Sequence, residues 1–288
     1  MIPGARSRRL NWGAMLSQEI GEGVWVFRSR FADMLSTLVQ LDGRRAALVD
    51  PPMFADEADE IRGFAGERGL SIEFLVITHA HGDHAYGIAH FPDALVLAQS
   101  RFWEYWREIE ATDRMFFSRL LPEYVIPELR CPNLLLANGS RLRFERELSF
   151  RHVPGHSPDG LLVELPAEGI WIAGDTVLRI PFISSGERTE LLMTLRELGG
   201  RFRGEAIVPG HGRVLRGEEA RRLLAENILY LERLGTEVER AVREGGGLEE
   251  AVAIPLTRFG IPEGAVGGLA AWIHRENLKK VYEELSGR

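Results

Sequence analysis

The chain has little of what secreted or membrane-bound proteins usually carry. Its 288 residues include one cysteine, Cys131, which excludes a disulfide within the chain and fits a reducing compartment. No segment reaches the roughly 18 consecutive apolar residues of a transmembrane helix. The arginines of residues 1–12 are not followed by the apolar run of a secretory signal. These absences predict a cytoplasmic protein that does not engage a membrane.

Positive charge is also scarce, and lysine is nearly missing. The chain has 42 acidic against 35 basic residues, a net charge of −7, and its lysines are Lys279 and Lys280. This balance disfavours non-specific binding to nucleic acid, and we expect no such partner. A hydrophobic fraction of 45% and a charged fraction of 27% are those of an ordinary globular protein. The length allows one large domain or two smaller ones.

The most informative feature that is present is a group of histidines at residues 79–84. His79, His81, Asp83 and His84 fall within six positions, directly after the apolar residues 74–77. Imidazole nitrogen and carboxylate oxygen are the usual ligands of a catalytic zinc or a similar divalent metal. Because the chain has only eight histidines, this concentration indicates a metal site rather than an ordinary polar loop.

Three isolated side chains of the same chemistry follow downstream. His156 lies in a loop rich in proline and glycine, and Asp175 follows an apolar strand that ends at Gly174. His211 comes after another short apolar run and a Pro-Gly turn. Rigid strands with ligands at their ends hold metal geometry well. We therefore predict that these three residues complete the site.

Taken with the strand end at Asp50, these motifs resemble the metallo-β-lactamase-fold hydrolase superfamily, in particular its glyoxalase II-like and lactonase-like members. The motifs occur in the family's order and span residues 50–211. The resemblance implies an α/β fold, a four-layer αββα sandwich with the site at one edge of its two sheets. It also implies a role for each residue: a first metal on His79, His81 and His156, a second on Asp83, His84 and His211, a bridge from Asp175, and support of the ligand loop by Asp50.

The resemblance further implies the cofactor and the chemistry. Two divalent ions would be bound, with zinc the first expectation and manganese or iron the alternatives. A metal-bridged hydroxide would attack the carbonyl of a small carboxylic ester or thioester, and Asp83 would orient the water and accept its proton. Two other activities on this scaffold stay open, a mononuclear non-haem iron persulfide dioxygenase and a metal-dependent phosphodiesterase. A β-lactamase is disfavoured because those enzymes usually lack the residue that corresponds to Asp175.

The pattern of charges and apolar residues divides the chain into segments. Ordered patterning begins near Met15, an alternative start, so residues 1–14 are expected to be a disordered extension. Residues 15–217 would form the sandwich, with a helical insert at about 100–124. Residues 218–288 show helical periodicity, which predicts a long amphipathic helix over residues 218–243, another over 248–258 and a last one within 262–285. These segments resemble the appended helices of glyoxalase II-like proteins. These helices, with Trp272 and Tyr282, could form a homodimer contact or simply cover the sandwich.

The insert at about 100–124 is unusually aromatic. Its rings could pack an extra helix on the sandwich, or they could form a lid over the metal site for an apolar or acyl part of the substrate. On the second interpretation the pocket residues include Trp103, Trp106, Phe116 and Phe117.

Overall fold

The computed structural model describes residues 15–262, 264 and 269–287, so the extension predicted for residues 1–14 lies outside the described residues. Thirteen strands form two sheets in this part of the chain. The strands are β1 (Leu16–Gly21), β2 (Val24–Arg28), β3 (Leu35–Gln40), β4 (Arg45–Val49), β5 (Ser71–Ile77), β6 (Leu95–Gln99), β7 (Leu134–Leu136), β8 (Arg141–Arg143), β9 (Glu147–His152), β10 (Leu161–Leu165), β11 (Ile170–Gly174), β12 (Ala206–Pro209) and β13 (Leu215–Arg216). The α-helices are α1 (Ala55–Gly66), α2 (Gly82–Ala85), α3 (Phe102–Leu120), α4 (Arg188–Arg201), α5 (Gly217–Arg243), α6 (Leu248–Val252) and α7 (Leu269–Ser286).

The first sheet has seven strands in sequence order, β1 to β7, and the second has six in the order β13-β12-β11-β10-β9-β8. Two adjacent strand pairs that matter for the site are parallel, β4 with β5 and β11 with β12. In β5 alternate side chains face opposite ways, and the last four residues are all buried. A strand covered on both faces needs such a continuous apolar run, which is why residues 74–77 lack polar side chains.

Three hydrophobic clusters define four layers. The central cluster lies between the sheets and takes side chains from both, for example Val76 of β5 and Val208 of β12. A second cluster joins the outer face of the first sheet to α1 and α3. The third joins the outer face of the second sheet to α4, α5, α6 and α7. The predicted αββα sandwich with a C-terminal helical region is therefore confirmed.

The helical regions differ from the sequence prediction in detail. The insert is one helix, α3, and the long amphipathic helix α5 is present as predicted. A continuous helix over residues 248–258 was expected, but α6 ends at Val252 and a separate 3₁₀ turn covers Leu256–Phe259. Pro255 lies between them and lacks the backbone N–H that an α-helix would need there. Helix α4 has no counterpart among the predicted segments.

None of the helices in the described ranges is both long enough and apolar enough to cross a bilayer.

Candidate metal centre

The predicted ligands meet at the edge of the two sheets where parallel strands end. Asp50 directly follows β4, and His79 comes two residues after β5. Asp175 directly follows β11, and His211 comes two residues after β12. His156 reaches the same place from the loop between β9 and β10. Carboxyl ends of neighbouring parallel strands share one edge of a sheet, so residues far apart in sequence converge here.

The ligand atoms form three overlapping groups. In each group the potential ligand atoms all lie within 4.8 Å of one another. The groups are His79 with His81 and His156, then His79 with His84 and Asp175, and finally Asp83 with His84 and His211. The first and third match the two ligand sets implied by the family resemblance, and the second links them. All seven residues are therefore brought together.

Asp175 lies between the two sets with one carboxylate oxygen toward each. Its Oδ2 is 3.7 Å from His156 Nε2. Its Oδ1 is 3.4 Å from His84 Nε2 and 3.7 Å from His211 Nε2. A carboxylate in this position can bind two cations at once, one through each oxygen. Gly210 makes room for it, because a Cβ there would collide with Asp175 Oδ1.

Asp50 supports the ligand loop from beneath. Its carboxylate accepts hydrogen bonds from the Thr78 backbone N–H at 2.8 Å and from the Thr78 hydroxyl at 2.7 Å. The same carboxylate is 2.8 Å from His84 Nδ1. A carboxylate accepts only, so Nδ1 carries the proton and Nε2 is left to face the centre. Asp50 adopts a positive φ of 50°, which turns the chain sharply after β4.

Two further histidines are oriented by backbone carbonyls. His156 Nδ1 lies 2.7 Å from the Phe182 carbonyl oxygen, and His211 Nδ1 lies 3.0 Å from that of Ala32. A carbonyl can only accept, so each Nδ1 donates and each Nε2 is turned toward the centre. This fixed tautomer is the one that a metal ligand requires.

The first set is electrostatically prepared to stay neutral. Burial lowers the pKa of His79 well below its ordinary value and lowers that of His81 to about 3, with neighbouring imidazoles adding to the effect. Burial also lowers the pKa of His156. These three rings are therefore neutral at neutral pH, so each keeps one nitrogen lone pair that can bind a cation.

The second set has the opposite balance. Burial disfavours charge on His84, but Asp83, Asp175 and Asp50 outweigh it and raise its pKa well above the ordinary value. The pKa of His211 is raised in the same way by Asp175 and Asp83. Binding of a cation by this set would therefore release protons from His84 and His211, because the cation takes over the interaction of these protons with the carboxylates.

Several polar atoms of the centre are not satisfied by hydrogen bonds and are suited to bind a metal. His79 Nε2, His84 Nε2 and Asp175 Oδ1 are buried and have no hydrogen-bond partner among the residues that the structure describes. Buried polar atoms without partners are costly and rare in folded proteins. Imidazole nitrogen with carboxylate oxygen suits zinc, manganese or iron, and the three residues form one of the ligand groups.

Helix α3 touches the ligand loop through residues that the sequence analysis missed. The Tyr105 hydroxyl is 3.1 Å from His81 Nε2, and Asp113 Oδ2 accepts from the Gly82 backbone N–H at 3.1 Å. Asp113 also accepts a hydrogen bond from the Tyr86 hydroxyl. One face of α3 therefore braces the loop that carries His81.

The four predicted pocket aromatics do not share one environment. Trp106 and Phe117 are only 1% and 3% exposed and pack inside the cluster between α3 and the first sheet. They are core residues here, and their assignment to a pocket wall is corrected. Trp103 is half-buried against the same cluster, and Phe116 is 40% exposed. Only these last two have surface to offer a ligand, which stays a prediction.

Replacing Tyr105 with phenylalanine should loosen metal binding without unfolding the protein. The substitution keeps the ring and removes the hydroxyl that lies 3.1 Å from His81 Nε2. Loss of such a supporting hydrogen bond typically weakens metal affinity about 10-fold or more. Competition of the purified variant with a chelating dye measures the change. Tyr124→Phe is the control, because that hydroxyl bonds to the Met53 carbonyl instead. Equal affinity in all three proteins would contradict a role for Tyr105.

Asp159 should make the fold less stable as pH rises. Burial raises its pKa from about 3.8 to about 7, although the Ser157 hydroxyl and the Ala80 backbone amide favour the ionised form. Between those values the folded protein binds one more proton than the unfolded chain, so stability falls with rising pH. Asp159→Asn removes this loss. We expect its advantage over the wild type, in urea unfolding of metal-free protein, to grow by about 2 kcal/mol from about pH 5.5 to about pH 8. A constant difference would refute the assignment.

Comparison with known proteins places these features in a family. The chain is 26% identical over 183 residues to acyl-coenzyme A thioesterase MBLAC2 of Gallus gallus, covering 57% of this chain and 64% of that one. It is 29% identical over 136 residues to hydroxyacylglutathione hydrolase of Francisella philomiragia, covering 46% and 43%. The chain thus spans less than two thirds of the length of these relatives.

Solved structures share the fold at low identity. The sec-alkylsulfatase Pisa1 from Pseudomonas sp. matches with a TM-score of 0.74 and 17% identity, covering 93% of this chain and 50% of that one. A metallo-β-lactamase from Pontibacter korlensis matches with a TM-score of 0.62 and 16% identity, covering 76% and 99%. The model of the metallo-β-lactamase superfamily matches residues 34–213. That is more than half of the chain, which therefore belongs to the metallo-β-lactamase superfamily.

Proposed function

We propose that the protein is a hydrolase with two divalent metal ions and that it cleaves a carboxylic ester or, preferentially, a thioester of a small molecule. The position of Asp175 carries the proposal, since its two oxygens face two separate histidine sets. A site for one ion would not need a carboxylate with one oxygen toward each set. The seven side chains give each ion about three protein ligands and a shared bridge, which leaves positions for water and substrate.

Two ions held there would supply an activated water and a Lewis acid for the substrate carbonyl. The residues of the chain position this chemistry. Asp83 lies at the open side of the second set, with Oδ2 3.2 Å from His211 Nε2 and 3.8 Å from His84 Nε2. Its pKa is lowered, because His84 and His211 outweigh the effect of burial. An ionised Asp83 can orient a water molecule by accepting a hydrogen bond from it and can receive its proton.

The choice of thioester comes from the relatives. A thioesterase and a hydroxyacylglutathione hydrolase are among the similar proteins, and both names describe cleavage of an acyl group from a thiol carrier. At 26% and 29% identity this supports a substrate class and not a particular acyl group. The appended helices α5 to α7 are proposed to belong to a C-terminal unit of residues 218–288, next to a catalytic domain of residues 15–217.

A substrate panel tests the proposal. Zinc- and manganese-loaded protein is assayed with an acyl-coenzyme A, a hydroxyacylglutathione, a lactone, a β-lactam and a phosphodiester. We expect the highest kcat/KM for a thioester, and loss of that activity in His79→Ala. Preference for the phosphodiester would overturn the substrate class, and oxygen consumption with a persulfide by iron-loaded protein would overturn hydrolysis itself.

A further inference from the structure

The last described helix, α7, contacts the segment beside the candidate metal centre through one buried side chain, Asn277. Asn277 is fully buried, and its amide group spans the segment that precedes α4. Its Oδ1 accepts from the Ile183 backbone N–H at 2.8 Å. Its Nδ2 donates to the Pro181 carbonyl at 2.7 Å. Asn277 thus holds the backbone on both sides of Phe182, whose own carbonyl accepts from His156 Nδ1 at 2.7 Å.

The same segment also binds the backbone of His156. The amides of Ser185 and Gly186 both donate to the His156 carbonyl at 3.1 Å. Both the ring and the main chain of this ligand therefore depend on residues 182–186. A carbonyl acceptor that shifted by a fraction of an ångström would weaken the bond that fixes the ring orientation and its tautomer.

Asn277 is itself held by a buried polar network. Its Nδ2 lies 3.1 Å from the Tyr230 hydroxyl, which is 2.9 Å from His274 Nδ1. His274 Nε2 in turn lies 2.9 Å from the Ile254 carbonyl. The amide therefore makes three hydrogen bonds in one orientation, and swapping its oxygen and nitrogen would place like groups together at both Pro181 and Ile183. A fully satisfied network of this kind fixes one arrangement of its members.

We propose that Asn277 is a positioning residue that sets the orientation of the metal ligand His156 through the Phe182 carbonyl. The inference rests on the proposed metal site and goes beyond it. It gives the C-terminal helices a part in building the first ligand set, His79 with His81 and His156. Within the described residues, no hydrogen bond joins Asn277 to the second set, Asp83 with His84 and His211.

Stepwise zinc titration against a competing chelator tests this assignment. Asn277→Asp keeps the volume and the acceptor for Ile183 but removes the donor to Pro181. We expect one of the two zinc-binding steps to weaken about 10-fold and the other to change less than about twofold. Cobalt-loaded protein should show an altered absorption spectrum for the weakened step. Asn277→Ser, which carries no charge and is smaller, repeats the measurement if the aspartate variant does not fold.

Tyr230→Phe is the matched control. It removes a hydroxyl from the same network but leaves both contacts of Asn277 with residues 181 and 183. Its melting temperature should fall while both zinc affinities change less than about twofold, because the bonds of Asn277 to Pro181 and Ile183 already fix its amide. The inference is overturned if the Asn277 variants bind both ions as the wild type does, or if Tyr230→Phe weakens the same step equally. Wild-type protein that binds no metal would overturn both the proposed function and this inference. Unchanged zinc affinities in the Asn277 variants would overturn only this inference.

Discussion

Asp175→Asn should reduce hydrolysis by about three orders of magnitude and lower the metal content from two ions to one per chain. The substitution keeps shape and volume but leaves one oxygen where two faced the two histidine sets. A neutral amide cannot bridge two cations, and several kcal/mol of transition-state stabilisation are supplied through such ions. Steady-state kinetics and elemental analysis of the same preparation measure both effects.

The fold should survive this change, which separates loss of chemistry from loss of structure. In the metal-free protein His211 and His84 outweigh the effect of burial and hold the pKa of Asp175 well below its ordinary value, so the carboxylate is a buried ion-pair partner. We expect the metal-free variant to fold but to be less stable than the metal-free wild type at neutral pH, by about 3 kcal/mol, because protonated histidines lose their partner. Asp93→Asn, at an exposed position, is the control. Full activity in Asp175→Asn would exclude a bridging role.

Asp50→Asn should weaken the second metal set and destabilise the fold at the same time. The carboxylate accepts from Thr78 and from His84 Nδ1. In asparagine one oxygen becomes an NH₂ group, which would face a donor and leave buried groups unpaired. We expect the free energy of unfolding to fall by about 2–4 kcal/mol and metal affinity of the second set to fall by about 10- to 100-fold. Urea unfolding and zinc titration check the two values.

Asparagine is chosen because it changes the side-chain hydrogen bonds of residue 50 and leaves its backbone conformation unchanged. Asp50 has a φ of 50°, a left-handed conformation that asparagine tolerates better than most residues do. The turn after β4 should therefore persist in the variant. Ser36→Ala provides a comparison, since its hydroxyl donates to the Asp50 carbonyl at 2.6 Å and leaves the carboxylate untouched. If both variants lowered zinc affinity equally, the effect would come from the turn and not from the carboxylate.

The sequence predicted the clustering of the seven candidate ligands because histidine and aspartate at strand ends are a distinctive pattern. Histidine and aspartate at strand ends were recognisable at His79, Asp175 and His211 without any knowledge of their spatial relation. Their convergence follows from parallel pairing of β4 with β5 and of β11 with β12. Pairing of this kind brings distant carboxyl ends to one edge, and the family resemblance implied that edge.

The supporting residues were harder to find because their residue types are common. In α3 the residues predicted for a pocket were Trp103, Trp106, Phe116 and Phe117, and Tyr105 was not among them. Helical spacing would have been the better signal. Phe102, Trp106, Ile109, Asp113 and Phe117 recur at three- and four-residue intervals, and with Tyr105 they form the buried or inward face. A polar residue on that face needs a partner, and here the partner is the ligand loop.

Asn277 illustrates what local sequence does not reveal. Its neighbours in α7 show ordinary helical spacing, and nothing about them indicates a contact with a loop 94 residues away. Helix α4 was missed for a related reason, because Gly199 and Gly200 near its end obscure the helical pattern. Such features depend on tertiary packing, which overrides local propensity.

Metal content is the measurement that tests the central claim most directly. Protein purified without added metal or chelator is analysed for zinc, manganese and iron, and again after reconstitution with each ion. The account predicts close to two ions per chain, falling to one or fewer in Asp175→Asn. A single iron ion per chain, or no metal after reconstitution, would contradict a centre with two metal ions.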